Sequence, residues 1–244
     1  MTNEVGGSFS PEAIKAQAVA AYTNVKRCNI AGEATSVVLK DNSVTNKVKE
    51  IIAPVIGEAI YYDGKLIQAV YSASSAGYTA SSKEVWGVDY PYLQSIYCEL
   101  DAQYDPNYGV QKSFTSAEIK SKVFDKTGIV LSGDPSQWFD VLDYAEGKFV
   151  GKMTIGGNMI FVNSSGKTIN ITGRVFRETI MSSEIRSSAF DVNYDSSSDT
   201  FTFTTYGYGH GVGLSQNGAN ALATYKGYNY KQILEFYYQG VTIV

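Results

Sequence analysis

The sequence predicts an α+β fold, mostly β, in a single domain that is either undivided or two-lobed. A long N-terminal helix and a short C-terminal helix are expected around a substrate groove. Apolar residues repeat at helical spacing near both ends of the chain, and between them lie short runs of strand-forming residues separated by Gly or Ser turns. The length of 244 residues suits one large domain or two small ones.

The first helix is predicted to run from Pro11 to about Arg27. Ser10 can cap it, and proline is favoured at the first helical position. Gln17 lies on the apolar stripe, so it either has a buried hydrogen-bond partner or faces a cleft. The apolar residues of that stripe are Ile14, Ala18, Ala21 and Val25.

Strand-like segments follow this helix. Residues 36–39 and 59–62 are strand-like, and the turn Asp63-Gly64 joins 59–62 to a further run at 66–71. The second and third of these runs therefore predict a β-hairpin.

A second helix is predicted over residues 113–131, with Ser116 as its cap. Short strands and turns follow, interrupted by a short helix from Val175 to Met181. The last helix, from Tyr230 to Tyr238, is expected to stop at Gly240. The residues expected on the apolar side of the second helix are Ile119, Val123 and Phe124.

The composition excludes several classes of function. With 20 Lys and Arg against 24 Asp and Glu the net charge is −4, which argues against a general nucleic-acid binder. The sequence contains no run of about 18 apolar residues, the length needed to span a bilayer, and its N-terminus lacks the basic and then apolar pattern of a signal peptide. A single His excludes a two-His zinc motif. Cys28 and Cys98 form either a disulfide or two buried thiols.

The densest non-helical signal is the glycine-rich segment Gly207–Ala219. It matches neither a dinucleotide fingerprint nor a phosphate-binding loop, because the required acidic residue and Gly-Lys-Ser/Thr are missing. His210, the only imidazole, either orders this loop through hydrogen bonds or acts on a substrate as a contact or acid–base group. The 19 tyrosines suit sugar stacking and half-buried strand positions equally well.

Carboxylates are the remaining candidates for acid–base chemistry. Glu4 lies six residues before Ser10, ahead of the first helix. A helix N-terminus favours the ionised carboxylate, whereas a proton donor needs burial to raise its pKa. From the residues alone, Glu4 is interpreted as either a solvated loop acid or a catalytic group. Glu12 is interpreted as an acidic residue of the first helical turn, and Glu84 as a structural hydrogen-bonding group.

The ordered blocks of this chain resemble the stage II sporulation protein D family of cell-wall lytic transglycosylases and their amidase-enhancer relatives. The resemblance runs from Glu4 to Gly240, so residues 1–244 are interpreted as one catalytic domain of this type. The family usually has a membrane anchor and further strands upstream of Glu4, and the resemblance leads us to expect that these are missing from this chain. The blocks that carry the resemblance are Glu4, 11–21, 69–72, 77–79, 84–87, 173–177, 185–187, 207–219 and 237–240.

The resemblance implies cleavage of the MurNAc-GlcNAc β-1,4 bond of denuded peptidoglycan without water, leaving 1,6-anhydroMurNAc ends. Counting back from Lys15-Ala16-Gln17, the family's catalytic acid falls on Glu4. One carboxyl would protonate the leaving oxygen and then deprotonate the muramic 6-hydroxyl. The implied setting is extracytoplasmic, in the cell envelope or the space between forespore and mother cell, beside a cell-wall amidase during engulfment. The full-length protein is expected to be membrane-anchored.

Two positions depart from the family pattern. Tyr22 stands at the third position of Ala20-Ala21-Tyr22-Thr23-Asn24, where the family usually reads Ala-Ala-Arg-Thr-Tyr at the end of the helix, and this change bears on catalysis or substrate preference. Ser72 stands where some members have a zinc-binding His, and no Cys lies nearby, so no metal and no cofactor are expected.

The leading hypothesis is therefore a lytic transglycosylase with Glu4 as both acid and base. The alternatives are a non-catalytic glycan-binding activator of an amidase, and a hydrolase that uses two carboxyls and releases reducing ends. The residues expected to line the groove and contact the glycan are Gln17, Tyr22, Tyr71, Ser72, Trp86, His210, Ser215 and Gln216.

Overall fold

The computed structural model describes residues 8–35 and 44–244 of the chain. In these ranges helices and several small sheets combine in an α+β fold, as predicted. Three short 3₁₀ turns and one π-helical turn, Phe176–Ile180, supplement the α-helices. The α-helices are α1 (Pro11–Ala31), α2 (Asn46–Ile52), α3 (Ser82–Trp86), α4 (Asp101–Tyr104), α5 (Ser116–Thr127), α6 (Gly173–Val175), α7 (Gln216–Lys226) and α8 (Tyr230–Tyr237).

In the part of the chain that the structure describes, the strands form five small sheets with mainly antiparallel pairing. Their orders are β12-β1-β2, β4-β10-β9, β11-β3, β5-β6 and β7-β8, and among these only β11-β3 is parallel. The strands are β1 (Ile60–Tyr62), β2 (Lys65–Leu66), β3 (Tyr71–Ser72), β4 (Val110–Thr115), β5 (Phe139–Tyr144), β6 (Val150–Ile155), β7 (Ile160–Val162), β8 (Thr168–Asn170), β9 (Phe190–Asp195), β10 (Thr200–Thr205), β11 (Leu214–Ser215) and β12 (Thr242–Ile243).

Helix α1 contributes buried residues, among them Ala16 and Val19, to one of two hydrophobic cores. It begins at Pro11 as predicted but continues past Arg27 to Ala31, where Gly32 takes the left-handed conformation that ends helices (φ 67°). The predicted side-chain cap at Ser10 is wrong, because its hydroxyl makes no cap hydrogen bond. Instead the Ser10 backbone N–H donates to Asn220 Oδ1 at 2.7 Å, which joins the start of α1 to α7.

The predicted hairpin is confirmed, although its second strand is short. Tyr62 pairs with Lys65 across the Asp63-Gly64 turn. Beyond Leu66 the chain leaves this sheet, and Tyr71 pairs with Leu214 in another. The strand predicted at 36–39 lies outside the described residues.

The second predicted helix is confirmed with different ends. Thr115, not Ser116, caps α5 by accepting a hydrogen bond from the Glu118 N–H, because the preceding residues pair with β10 as strand β4. Ile119 is buried as expected, whereas Phe124 is exposed, so the apolar side is narrower than predicted. The segment expected to be a short helix from Val175 forms α6 and the π-helical turn, capped by Thr172.

The C-terminal region contains one predicted and one unpredicted helix. Helix α8 matches the prediction to within one residue and is capped by Asn229. Helix α7 was not predicted, since its sequence contains Gly and two Asn, which are weak helix formers. The glycine-rich segment therefore ends at Ser215, which caps α7, rather than at Ala219.

The described residues bury two hydrophobic cores, in keeping with two lobes. The first lies among α1, α7, α8 and the β1 sheet, and the second lies under β6, β9 and β10. The chain passes from one core to the other between adjacent residues, since the side chain of Phe149 belongs to the first core and that of Val150 to the second. Packed aromatic rings dominate the second core: Trp138, Phe139, Phe176, Phe190, Phe201 and Phe203.

Candidate functional site

His210 and Trp86 form the centre of the candidate site. Their ring centroids lie 5.3 Å apart, where the glycine-rich loop meets α3. His210 Nδ1 accepts a hydrogen bond from the Val212 N–H at 3.0 Å, and a second hydrogen bond links the ring to the backbone of Tyr71. Burial is the main cause that lowers the pKa of His210 to about 4, so the imidazole is neutral at pH 7. The ring orders the loop and carries no charge there.

Glycines bring the loop against its neighbours at two positions on either side of His210. Gly209 has φ +113°, and a Cβ there would lie 2.7 Å from the Ser72 Cβ. Gly211 has φ +75°, and a Cβ there would collide with the ring of Phe149. Both backbone conformation and space therefore require glycine at these positions. This close approach places His210 beside the strand that carries Tyr71 and Ser72.

Three of the predicted contact residues lie in the framework beneath the loop. Ser72 and Ser215 are buried and pair in the parallel sheet of β3 and β11. Ser215 Oγ accepts hydrogen bonds from the Gly218 N–H at 3.0 Å and the Ser75 N–H at 3.4 Å, so it serves as the cap of α7. Gln216 is also buried. The structure brings these residues together, but with their side chains largely withdrawn from the surface.

The two predicted residues on α1 differ in exposure. Gln17 is 1% exposed, and its amide oxygen and nitrogen have no hydrogen-bond partner among the described residues. Tyr22 is 43% exposed, and the Lys26 ammonium lies 5.5 Å from its ring centroid. Five residues apart on a helix, the two side chains cannot share a face. Glu4, the predicted catalytic acid, lies outside the described residues.

A network of charged side chains beside His210 was absent from the predicted site. Arg174 Nε donates to Glu178 at 2.9 Å, and Arg177 Nη1 donates to the same carboxylate at 3.3 Å. Arg174 Nη1 also donates to the Val85 carbonyl at 3.0 Å, next to Trp86. Both guanidinium charges contribute to the lowered pKa of His210. The Arg174-Glu178 spacing of four residues was the available sequence signal.

A second cluster of polar side chains is buried behind the glycine-rich loop. The Ser75 hydroxyl donates to Asp101 Oδ2, and Asn217 Nδ2 donates to Asp105 Oδ1 at 3.0 Å. Burial is the main cause that raises the pKa of Asp101 to about 7, and the nearby Asp105 charge raises it further. Arg186 Nη1 donates to Asn107 Oδ1 at 2.6 Å. This cluster fixes the segment around Ser75 and was not expected from the sequence.

Other features of the described residues limit the chemistry. Cys28 and Cys98 are both free and buried, which decides between the two cysteine alternatives in favour of thiols. Glu84 completes the capping box of α3 with Ser81, the structural role expected of it.

Within residues 8–35 and 44–244, no three His, Cys, Asp or Glu side chains cluster as metal ligands. None of the helices in those ranges has the length and apolarity needed to cross a bilayer.

Comparison with known proteins finds relatives that align with nearly all of this chain but with only part of their own length. No protein-family model matches the chain. The chain is 32% identical to stage II sporulation protein D of Bacillus subtilis (strain 168) and 30% identical to that of Bacillus amyloliquefaciens; each alignment covers 100% of this chain and 71% of the relative. It is also 30% identical to the amidase enhancer of Bacillus subtilis, over 99% of this chain and 39% of that protein.

Proposed function

Because the chain belongs to the stage II sporulation protein D family, we propose that it is a lytic transglycosylase acting on denuded peptidoglycan glycan strands. The reaction would break the MurNAc-GlcNAc β-1,4 bond and leave 1,6-anhydroMurNAc ends. The observation that carries this proposal is the match of the whole chain to two proteins of that name. Its proposed setting is extracytoplasmic, in spore development.

In the proposed mechanism Glu4 performs both proton transfers. As an acid it gives its proton to the glycosidic oxygen, and the bond from that oxygen to the muramic C1 breaks. As a carboxylate it then takes the proton of the 6-hydroxyl, whose oxygen bonds to C1 and closes the anhydro ring. The carboxyl is regenerated with its proton, so the cycle needs neither water nor a cofactor.

The described site supports Glu4 as the acid, because its only imidazole is poorly suited to donate a proton and its other side chains are suited to holding sugars. His210 is neutral at pH 7, and its ring makes hydrogen bonds with the Val212 N–H and the Tyr71 backbone, so it is a poor proton donor. Trp86 is partly buried and packs its ring against His210, and the partly buried Tyr71 lies next to His210 through a backbone hydrogen bond; pyranose rings could stack on these aromatic side chains. Arg174 and Glu178 supply polar groups suited to sugar hydroxyls and acetamido groups.

The test is product analysis with Glu4→Gln. We expect the wild-type protein to release anhydro-sugar products from denuded glycan strands, identified by mass spectrometry, and the variant to release at least about 100-fold less, the usual contribution of general acid–base catalysis. Glu50→Gln, at an exposed position on α2, is the matched control and should retain full activity. Circular dichroism checks that both variants keep the fold.

Full activity in Glu4→Gln would overturn the mechanism. Reducing-end MurNAc carrying oxygen from labelled water would instead identify a hydrolase. These two outcomes separate the role of the residue from the type of reaction.

A second candidate function is a glycan-binding activator of a cell-wall amidase. The similarity to a protein named amidase enhancer favours it, as does Tyr22 at the position where the family resemblance leads us to expect Arg. Under this proposal the pure protein binds glycan strands, releases no product at high concentration, and raises the rate of an added cell-wall amidase. An amidase is the proposed protein partner under either function.

A further inference from the structure

The charged side chains beside His210 carry one excess positive charge. Glu178 accepts hydrogen bonds from Arg174 at 2.9 Å and from Arg177 at 3.3 Å, so one carboxylate balances only one of the two guanidinium groups. His210 is neutral at pH 7 and adds nothing to this charge. Because the whole chain has a net charge of −4, the excess is local to the site. An unbalanced guanidinium favours an anionic group in a ligand.

Of these two arginines, Arg174 is the one that a ligand can reach. Its side chain is 43% exposed, whereas that of Arg177 is 11% exposed. Arg177 Nε also donates to the Arg186 carbonyl at 3.0 Å, which fixes that guanidinium within the protein. The side chain of Arg186 donates to Asn107 and so belongs to the polar cluster behind the loop. Arg174 therefore presents the excess charge to solvent.

Arg174 also has N–H groups that no described residue accepts. A guanidinium carries five N–H donors. Within the described residues, Nε donates to Glu178 and Nη1 donates to the Val85 carbonyl at 3.0 Å, so two of the five are used and three are left. The two bonds hold the planar group in place. A fixed guanidinium with N–H groups to spare suits a carboxylate, whose two oxygens can accept a pair of them.

Two observations place Arg174 near the Trp86–His210 pair. The carbonyl that Arg174 Nη1 contacts belongs to Val85, the residue before Trp86 in α3. The Arg174 charge is also among the causes that lower the pKa of His210, after burial. A sugar ring held at this pair would therefore have its substituents close to a positive charge.

The two sugars of a peptidoglycan strand differ in charge. Both are N-acetylated pyranoses, but MurNAc also carries a lactyl ether that ends in a carboxyl group. In a denuded strand this group is a free carboxylate, whereas in a strand that bears stem peptides it is an uncharged amide. A guanidinium beside the sugar can thus distinguish MurNAc from GlcNAc, and a denuded strand from a peptide-bearing one.

We propose that Arg174 binds the lactyl carboxylate of a MurNAc residue held at the Trp86–His210 pair, and that this contact selects denuded strands. The inference rests on the proposed function, since it takes a strand that contains MurNAc to be the ligand, and it applies equally to a glycan-binding activator. It assigns the sugar that occupies this position, the group by which that sugar is recognised and the residue that recognises it.

The test compares two ligands that differ only in this group. One is a GlcNAc-MurNAc tetrasaccharide with free lactyl carboxylates, and the other is the same tetrasaccharide with lactyl carboxamides. Each is titrated into the full chain by calorimetry, and mass spectrometry of the samples checks that the ligand stays intact. We expect the wild-type protein to prefer the carboxylate by about threefold to tenfold, between the effects of an exposed ion pair and of a charged hydrogen bond.

Variants of Arg174 assign the preference to its charge. Arg174→Gln should bind the two tetrasaccharides with nearly equal affinity. Arg174→Lys keeps the charge without the planar pair of N–H groups and should retain part of the preference. The matched control is Lys126→Gln, which removes an exposed positive charge from α5 and should keep the wild-type preference. In the wild type, added salt should reduce the preference by screening, a measurement that needs no variant.

Equal affinity of the wild type for the two tetrasaccharides would overturn the proposal, as would a preference that Arg174→Gln retains. An equal loss for both ligands in Arg174→Gln would show that its bonds to Glu178 and Val85 only support the site. A preference that depends on Arg174, without anhydro products from the wild type, would refute the proposed reaction and leave this inference standing. Anhydro products without a preference would do the reverse.

Discussion

Asp101 is a buried carboxyl whose ionisation affects folding. It accepts a hydrogen bond from Ser75 deep behind the glycine-rich loop, and burial raises the pKa of the carboxyl from 3.8 to about 7. The folded protein therefore holds this proton up to about pH 7, whereas the unfolded chain releases it near pH 4. A carboxyl that ionises more easily when unfolded makes the folded state less stable as the pH rises.

This predicts a pH-dependent difference between the wild-type protein and Asp101→Asn. Between about pH 4 and pH 7 the free energy of unfolding of the wild type should fall, relative to the variant, by up to about 1.4 kcal/mol per pH unit. Above about pH 7 the difference should stay constant. Urea denaturation at several pH values measures it, with the exposed Asp140→Asn as the matched loss of a carboxyl. Parallel pH profiles of Asp101→Asn and the wild type would contradict the assignment.

Single residues show where prediction from sequence stops. Glu84 was expected to be structural and completes a capping box three residues away, because local spacing fixes such contacts. The Asp101 carboxyl meets a partner 26 residues away, and Arg174 meets the Val85 carbonyl 89 residues away. Contacts between distant segments depend on how the lobes pack, which spacing along one segment does not contain.

Helix α8 illustrates a prediction at the scale of one element. Its cap Asn229 accepts a hydrogen bond from the Gln232 N–H at 3.0 Å, and the helix buries Ile233, Leu234 and Tyr237 in the first core. We expect Asn229→Ala to lower the free energy of unfolding by about 1 kcal/mol, since one N–H at the helix start loses its partner. Chemical denaturation measures the change.

The matched variant for this helix is Asn229→Asp, which retains a capping oxygen and places a negative charge at the positive end of the helix. It should remain close to the wild type in stability. Equal losses in both variants would show that the side chain acts through something other than its cap.

Whether an element could be predicted depended on how strongly its own residues specify it. The β1-β2 hairpin and helices α1, α5 and α8 carry turn, cap or periodicity signals, and the structure has all of them. Helix α7 has a weakly helical sequence, and packing against Asp101 and Tyr237 requires its Gly218. Tertiary packing thus overrode local preference there.

At the scale of the whole molecule, the two tryptophans report on different places. Trp138 is buried in the second core, whereas Trp86 packs against the first. Because the chain crosses between cores at Phe149-Val150 and again at Ala189-Phe190, neither core can lose its packing without disturbing the other. We expect the two to unfold in one transition.

Single-tryptophan variants test this cooperativity. Trp138→Phe leaves Trp86 as the reporter, and Trp86→Phe leaves Trp138. In each variant the fluorescence midpoint in urea should coincide with the midpoint from far-ultraviolet circular dichroism of the same variant. Separated midpoints would show two independently unfolding lobes. The α+β class was predictable because the helix signals near both ends and the strand and turn signals between them are local, whereas the way the lobes meet was not.

The close packing of Gly209 against Ser72 and Gly211 against Phe149 has a consequence for natural variation. Any side chain at these positions would meet both a steric clash and an unfavourable backbone angle. Amino-acid substitutions are therefore expected only at other positions of the loop. His210, between the two glycines, is held by hydrogen bonds to the Val212 N–H and the Tyr71 backbone, whereas the side chain of Tyr208 is exposed. Sequence divergence within this stretch should therefore concentrate at exposed positions such as 208, where new ligand preferences could arise without rebuilding the scaffold.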